Sequence, residues 1–216
     1  DLILAIDQGT TGSTIALMDT DGRLLTSVNH EFPQIFPQPG WVEHDPESIW
    51  QSVLKGLTAI FSDTEHAVSQ VAAIGITNQR ETAVLWDSQT GEAVHNAIVW
   101  QCRRTTVVCE DLKAAGYEAL IKAKSGLVLD PYFSATKFKW ILDNAPTAKT
   151  LLAEGRLLAG TIDTYLMWRL SNGNVHKTDV SNASRTSLMS LETLDWDAEL
   201  LDIFGVPRDI PVSYTH

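Results

Sequence analysis

Two apolar runs, Leu2 to Ile6 and Ile15 to Met18, bracket the segment Asp7-Gln8-Gly9-Thr10-Thr11-Gly12. Apolar runs on either side of a Gly-rich turn predict a β-hairpin. Asp21-Gly22 is a second hairpin signal, leading into Leu24–Val28, so the chain is expected to open with three antiparallel strands. From Phe32 to Trp41 the chain holds Pro33, Pro37, Pro39 and Gly40, which excludes a helix there. Asp45-Pro46 then has the form of an N-cap followed by Pro at the first helical position. Ile49, Trp50, Val53, Leu54, Leu57, Ile60 and Phe61 follow at helical spacing and make one apolar stripe. The near-continuous apolar run from Val71 to Ile76 predicts a strand buried on both faces. Ala83 to Trp86 and Ala97 to Trp100, with a turn at Ser88–Gly91, predict another strand pair. Helical patterns follow near 103–115, 134–144 and 161–170. Strands first and alternating helices afterwards indicate an α/β domain with a mixed sheet flanked by helices.

Composition narrows the partners. The 216 residues carry a formal net charge of −11, with 44% hydrophobic and 20% charged residues. An acidic chain argues against nucleic acid and anionic membrane surfaces, both of which reward clustered Lys and Arg. It leaves room for a phosphorylated substrate, which needs only a few local donors. No apolar run approaches a membrane span and no signal-peptide pattern opens the chain, so a cytoplasmic location is expected. The first strand begins one residue after Asp1, which carries no initiating Met, so a boundary set by trimming or disorder is expected. Cys102 and Cys109 lie seven residues apart on a segment read as helical, on one face but too far apart to bridge. They are expected to be buried small side chains in a reducing compartment. None of the six histidines has ligand spacing with Cys or acids, which argues against a transition-metal site. His44, in Trp-Val-Glu-His-Asp-Pro, is expected to pack or cap.

Four segments carry candidate chemistry. In Asp7 to Gly12, a turn of small residues exposes backbone N–H groups to a phosphate, with Thr10 and Thr11 hydroxyls as further donors. Asp7, at the end of the first strand, is a candidate Mg²⁺ residue acting through waters. Taken alone, an ordinary polar hairpin explains the segment equally well. No Walker A or G-x-G-x-x-G sequence occurs, so the P-loop and dinucleotide-binding readings lack their carriers. Arg80-Glu81, after the Val71 strand, offers a polyol both donors and an acceptor at a strand's C-terminal end, where open α/β sheets bind ligands. Alone, it also reads as a solvated ion pair. Trp100 could lay an apolar face along a carbon chain, or sit in the core. Tyr132, just before the 134–144 helix, could offer a hydroxyl, while Phe138, Ile141 and Leu142 are expected in the core.

The turn Asp7 to Gly12 resembles the first phosphate loop of the actin-like ATPase superfamily. That turn occurs with Pro39-Gly40-Trp41-Val42-Glu43-His44-Asp45-Pro46, Gly75-Ile76-Thr77-Asn78-Gln79-Arg80-Glu81-Thr82, Asn96 to Thr105 and Tyr132 to Asn144. Asp163-Thr164, Thr178-Asp179 and Ser181-Asn182-Ala183-Ser184-Arg185-Thr186 continue the series. In this order they resemble the FGGY carbohydrate kinase family, and among its members the glycerol kinases. The resemblance implies two ribonuclease-H-like lobes closing over glycerol and MgATP, with residues 1–216 forming the N-terminal lobe. It further implies that Arg80, Glu81 and Tyr132 hydrogen-bond the glycerol hydroxyls and that Trp100 packs on the carbon backbone. Thr10, Thr11 and Gly12 would approach the ATP phosphates, and Asp7 would lie near Mg²⁺. The reaction implied is in-line γ-phosphoryl transfer to a terminal hydroxyl, giving sn-glycerol 3-phosphate.

In that family the general base is an Asp of the second lobe, which also carries most of the adenine site. No catalytic base is therefore expected within residues 1–216, and the chain as given is expected to bind glycerol weakly without kinase activity. Alternatives are a kinase for another polyol or ketose, and a catalytically weakened polyol-binding relative. A chaperone-type ATPase leaves the Arg80–Glu81 pair without a role. Homo-oligomerisation is left open. The weakened relative is motivated by Thr14, which stands where the family usually has an Arg able to reach the transferring phosphate. One electrostatic contact to developing charge is worth roughly 3–4 kcal/mol. Thr14→Arg is therefore expected to raise turnover of the complete enzyme, and an unchanged or lower rate would count against this account of Thr14.

Overall fold

The computed structural model describes residues 1–62 and 66–211, and the backbone of residues 213–214. The chain divides into two compact units, one of residues 1–34 and 44–79, the other of residues 35–43 and 80–216.

The first unit is built on a mixed four-stranded sheet. Strands β1 (Leu2–Gln8), β2 (Gly12–Asp19) and β3 (Leu24–Glu31) run antiparallel in succession. After β4 (Glu43–His44), whose two residues divide between the units, comes α1 (Pro46–Ser62). Beyond it β5 (Val71–Asn78) pairs parallel with β1, giving the order β3-β2-β1-β5. Asp45 caps α1 as expected: its carboxylate accepts from the N–H groups of Glu47 and Ser48, both at 3.1 Å. The apolar stripe of α1 then buries Ile49, Val53 and Ile60 against Leu4, Ile15 and Leu17 from one face of the sheet. β5 differs from expectation. It is the last strand in the sheet, Ala72 to Gly75 are exposed, and Ile74 is 53% exposed. Half of its apolar run is alanine and glycine, whose small surface tolerates exposure, and an edge position leaves Ile74 open as well, so hydrophobicity there did not report burial on two faces.

The second unit carries more helix than strand. β6 (Val84–Asp87) is wholly buried and runs antiparallel to β8 (Leu157–Gly160). The expected pairing of Ala83 to Trp86 with Ala97 to Trp100 survives as a single bridge between Ala83 and Ile98, where β7 (Ala97–Ile98) passes. Helices α2 (Thr106–Ala114), α3 (Glu118–Ser125), α4 (Ser134–Asn144), α5 (Pro146–Ala153) and α6 (Ile162–Leu170) follow. β9 (Lys177–Thr178), α7 (Val180–Ala183), α8 (Ala198–Phe204) and β10 (Ser213–Tyr214) complete the order, with β9 and β10 parallel. One apolar core gathers Leu85 and Ile98 with Phe138, Ile141 and Leu142 of α4, Leu157, Leu200 and Phe204. Cys102 and Cys109 both enter it as free thiols. They do not share a helix: Cys102 closes a turn by donating its N–H to Val99 O at 2.9 Å, ahead of α2. Burial pushes the Cys109 thiol up to about 11, which leaves it unreactive at neutral pH.

In the first unit α1 packs tightly on the sheet at Gly56. A methyl group there would meet Ile15 Cγ1 at 2.3 Å, and Ile15 is 0% exposed and has nowhere to move. In an open helix Gly→Ala gains about 1 kcal/mol, but overpacking of this kind costs about 1–3 kcal/mol. Gly56→Ala is expected to lower the melting temperature by up to about 8 °C. A rise on differential scanning calorimetry would contradict that packing.

Candidate functional site

In the second unit the polyol-type residues are set by a turn and two loop ends. Glu81 sits at the turn after β5 with φ of 65°, a left-handed conformation that residues with a Cβ avoid. Two contacts hold it there. Ser134 Oγ, at the start of α4, donates to the Glu81 carbonyl at 3.0 Å, and Arg185 Nε donates to Glu81 Oε1 at 2.7 Å. Glu81 is 2% exposed, so its carboxylate is desolvated and needs that counter-charge. Arg80, beside it in sequence, is exposed, and among the described residues its side chain makes no hydrogen bond or ion pair. The adjacent acid and base thus part ways: one is fixed inside, the other projects into solvent.

Trp100 and Tyr132 come together from β7's end and from the loop before α4. Their ring centroids are 5.5 Å apart at an interplanar angle of 60°, and both residues are partly buried. The Tyr132 loop is fastened from both sides. Asp130 Oδ1 accepts from the Tyr132 N–H at 2.8 Å and from Arg103 Nη1 at 3.0 Å. Lys137, fully buried on α4, donates to the carbonyls of Pro131, Tyr132 and Phe133 at 2.7, 2.5 and 2.8 Å. Burial pulls the Lys137 ammonium down to about 7. The three carbonyls act in the opposite sense, because they match the three donors of the charged form. Arg185 closes the group, its guanidinium 4.9 Å from the Phe133 ring centroid and 5.9 Å from that of Tyr132. Glu81, Arg185, Trp100 and Tyr132 therefore form one contiguous cluster of a fixed acceptor, a partly buried cation and an aromatic pair. Among the described residues the Tyr132 hydroxyl makes no hydrogen bond.

Arg185 and Lys137 hold this geometry in place and were not singled out from sequence. Both lay inside quoted segments, but Arg185 is 104 positions from Glu81, and no spacing rule connects them. A lysine at 0% exposure had a signal only in hindsight, as a cation in the middle of a helix otherwise read as core.

The phosphate-turn residues belong to the first unit. Gly9 N–H donates to Gly12 O at 2.8 Å and closes the turn between β1 and β2. A Cβ on Gly12 would lie 3.0 Å from His30 O, so the turn has no room there for a larger residue. Thr11 is exposed and Thr10 partly buried. Asp7 is exposed at the end of β1, in register with Thr14 on one side and Thr77 on the other. Thr14 Oγ1 accepts from Asn29 Nδ2 at 2.8 Å, so this row is polar but carries no cation.

His44 is buried in the same unit, at 0% exposure, with its ring edge against Phe32 at 5.0 Å. Its Nε2 lies 2.6 Å from Gln34 Oε1 and its Nδ1 lies 3.1 Å from Gln79 Nε2. Burial pushes the imidazole down to about 4. Of the six histidines, His216 lies outside the described residues. Among those described, no three His, Cys, Asp or Glu side chains converge as a metal site, and no helix is long and apolar enough to cross a membrane.

The comparisons with known proteins fit these elements. Residues 2–213 match the FGGY family of carbohydrate kinases, N-terminal domain. The chain is 54% identical to the glycerol kinase of Symbiobacterium thermophilum, over 99% of this chain and 44% of that protein. It is 55% identical to the glycerol kinase of Bdellovibrio bacteriovorus, over 96% of this chain and 42% of that protein. In fold it is similar to the crystal structure of Plasmodium falciparum glycerol kinase with ADP, with a TM-score of 0.91 at 34% identity. That match covers 99% of this chain and 42% of the other. The chain spans less than half the length of the curated relatives it matches.

The depressed His44 pKa makes a stability prediction. A histidine in the unfolded chain titrates near 6.5, while the folded one stays neutral to about 4. Between those values the unfolded chain holds the extra proton, so stability falls as pH drops through that window. The loss attributable to His44 reaches on the order of 3 kcal/mol. Urea unfolding of wild type and His44→Phe between pH 7 and pH 4 is expected to give the steeper decline in wild type. Parallel declines would show that His44 titrates alike in both states.

Proposed function

This chain belongs to the FGGY family of carbohydrate kinases, and we propose that its protein transfers the γ-phosphoryl group of ATP to a terminal hydroxyl of glycerol. Residues 1–216 serve, in this reading, as the N-terminal lobe of that kinase. The observation that carries it is the buried Glu81 carboxylate, fixed by Arg185 beside the Trp100–Tyr132 pair. The relatives at 54% and 55% identity, both named glycerol kinases, support the choice of polyol.

Each residue has a role that follows from its placement. Glu81 accepts a hydrogen bond from a substrate hydroxyl through a carboxylate whose position is already fixed. Arg80 supplies donors from the exposed side of the same turn. Tyr132 offers a hydroxyl that can donate or accept, and the Trp100 ring lies along the carbon backbone. A triol presents alternating polar and apolar edges, and this set answers both. The turn from Gly9 to Gly12 approaches the nucleotide phosphates, with Thr10 and Thr11 as donors. Asp7, with Thr14 and Thr77 on either side of it in register, is a set of hard oxygen donors suited to Mg²⁺ held through waters. Phosphoryl transfer asks chiefly for positioning and charge stabilisation, and these residues position. Thr14 favours a second reading, a slowed kinase, since its hydroxyl is bonded to a neutral amide and no guanidinium stands at that point.

The test is ADP release by the full-length protein with MgATP, against glycerol and a panel of polyols and ketoses. Glycerol-selective turnover is expected, with Glu81→Gln and Arg185→Leu each raising the KM for glycerol by roughly tenfold or more. Turnover with another polyol alone would remove the substrate assignment, and none with any substrate would remove the activity.

A further inference from the structure

The phosphate turn of the first unit rests on a buried chain of side-chain hydrogen bonds that the substrate residues do not use. Gln79 N–H donates to Gln8 O at 2.7 Å, and Gln8 Nε2 donates to the Gly9 carbonyl at 2.7 Å. Gln79 Nε2 donates to Gln8 Oε1 and to His44 Nδ1, both at 3.1 Å. His44 Nε2 lies 2.6 Å from Gln34 Oε1, and Gln34 Nε2 donates to the Thr10 carbonyl at 3.0 Å and to Phe32 O at 3.4 Å. Gln8, His44 and Gln79 are buried.

The proton positions in this chain are determined. Gln34 must turn its NH₂ toward two carbonyls, so its oxygen faces His44, and His44 Nε2 must carry the proton. Gln8 likewise turns its NH₂ to Gly9 O, so its oxygen faces Gln79, whose NH₂ then donates to His44 Nδ1. One neutral tautomer satisfies both ring contacts. A doubly protonated ring would set an N–H against the Gln79 amide. Both ends of the chain finish on turn carbonyls, Gly9 O and Thr10 O. In a planar trans peptide the C=O and the following N–H point in opposite directions. Holding these two carbonyls inward therefore aims the N–H groups of Thr10 and Thr11 the other way.

We propose that Gln34, His44 and Gln79 are positioning residues for nucleotide phosphate, fixing two peptide planes of the Gly9–Thr11 turn so that their N–H groups face the phosphate side. This rests on the phosphate-turn reading under "Proposed function". It requires that disturbing the chain weaken nucleotide binding and spare glycerol. Gln34→Met tests the link to the turn, because a side chain of similar length has no donor for the Thr10 carbonyl and brings no charge to the site. His44→Phe keeps the ring packing on Phe32 and deletes both ring contacts.

Binding of MgADP and of glycerol to the full-length protein and both variants, by titration calorimetry, decides the matter. The expected result is MgADP affinity reduced by roughly tenfold in each variant, with glycerol affinity within about twofold of wild type. Should His44→Phe fail to fold, Gln34→Met gives the answer alone. Wild-type MgADP affinity in folded Gln34→Met would overturn the proposal, as would an equal loss for both ligands. A wild-type protein that binds no MgADP would instead overturn the nucleotide reading beneath it.

Discussion

The second unit turns on one ion pair. Glu81 bears two unfavourable features at once, a desolvated carboxylate and a left-handed backbone, and neither persists in a folded chain unless its surroundings impose it. Arg185 and Ser134 impose it, from segments that lie far along the chain. The same neighbourhood fixes the aromatic pair: Thr82 follows Glu81, and its Oγ1 accepts from the Trp100 N–H at 3.4 Å. Arg185, while neutralising Glu81, lies over Phe133 and near Tyr132. Moving the pair would therefore disturb the acceptor, the turn and the aromatic surface together. For a site whose work is orientation, that coupling matters more than any stability the pair adds. A buried ion pair is weak as a source of stability and strong as a fixed geometry.

A unit with short strands and long loops needs another way to order its loops, and here buried cations supply it. Lys137 gathers three successive carbonyls of the Tyr132 loop. Arg104 does comparable work for the Pro-rich segment: its guanidinium lies between Trp41 and Trp140, 3.9 and 4.6 Å from the ring centroids, and bonds Glu43 at 2.6 Å. The adjacent Arg103 instead serves Asp130, from the surface. Two neighbouring arginines thus hold two different loops. The planar fork of Arg, which stacks and bonds at once, explains why lysine would not replace Arg104 there.

What could be read from the sequence was local. The Asp45 cap, the stripe of α1, the hairpin at Asp21-Gly22 and the bounds of α4 rest on contacts within a few residues, and each was found where expected. α3, α5, α7 and α8 were not anticipated, being short helices of four to eight residues with little room for a periodic signal. The strand β8 and its pairing with β6 were missed because nothing in a four-residue apolar run names its partner. The β5 error has the opposite origin, apolar composition taken as burial. At the candidate site, Arg80, Glu81, Trp100 and Tyr132 were named from their residue types and places in the chain, and the family resemblance then gave them roles. The contacts that arrange Glu81, Trp100 and Tyr132 join positions tens of residues apart and only appear with the fold.

The first unit offers a contrast in how a site can be prepared. Its exposed row runs Thr77, Asp7, Thr14, Asn29 across four strands, all short polar side chains without a cation. Beneath the turn, the Gln and His side chains are neutral as well. In the proposed reading these residues supply no cation, so phosphate would be met at the turn by oriented N–H dipoles. Dipoles act over short range and only when aimed, whereas a guanidinium at position 14 would act across a wider range of poses. In that reading Thr14 shifts the burden from charge to geometry, and geometry in this turn depends on the buried amides that hold its carbonyls.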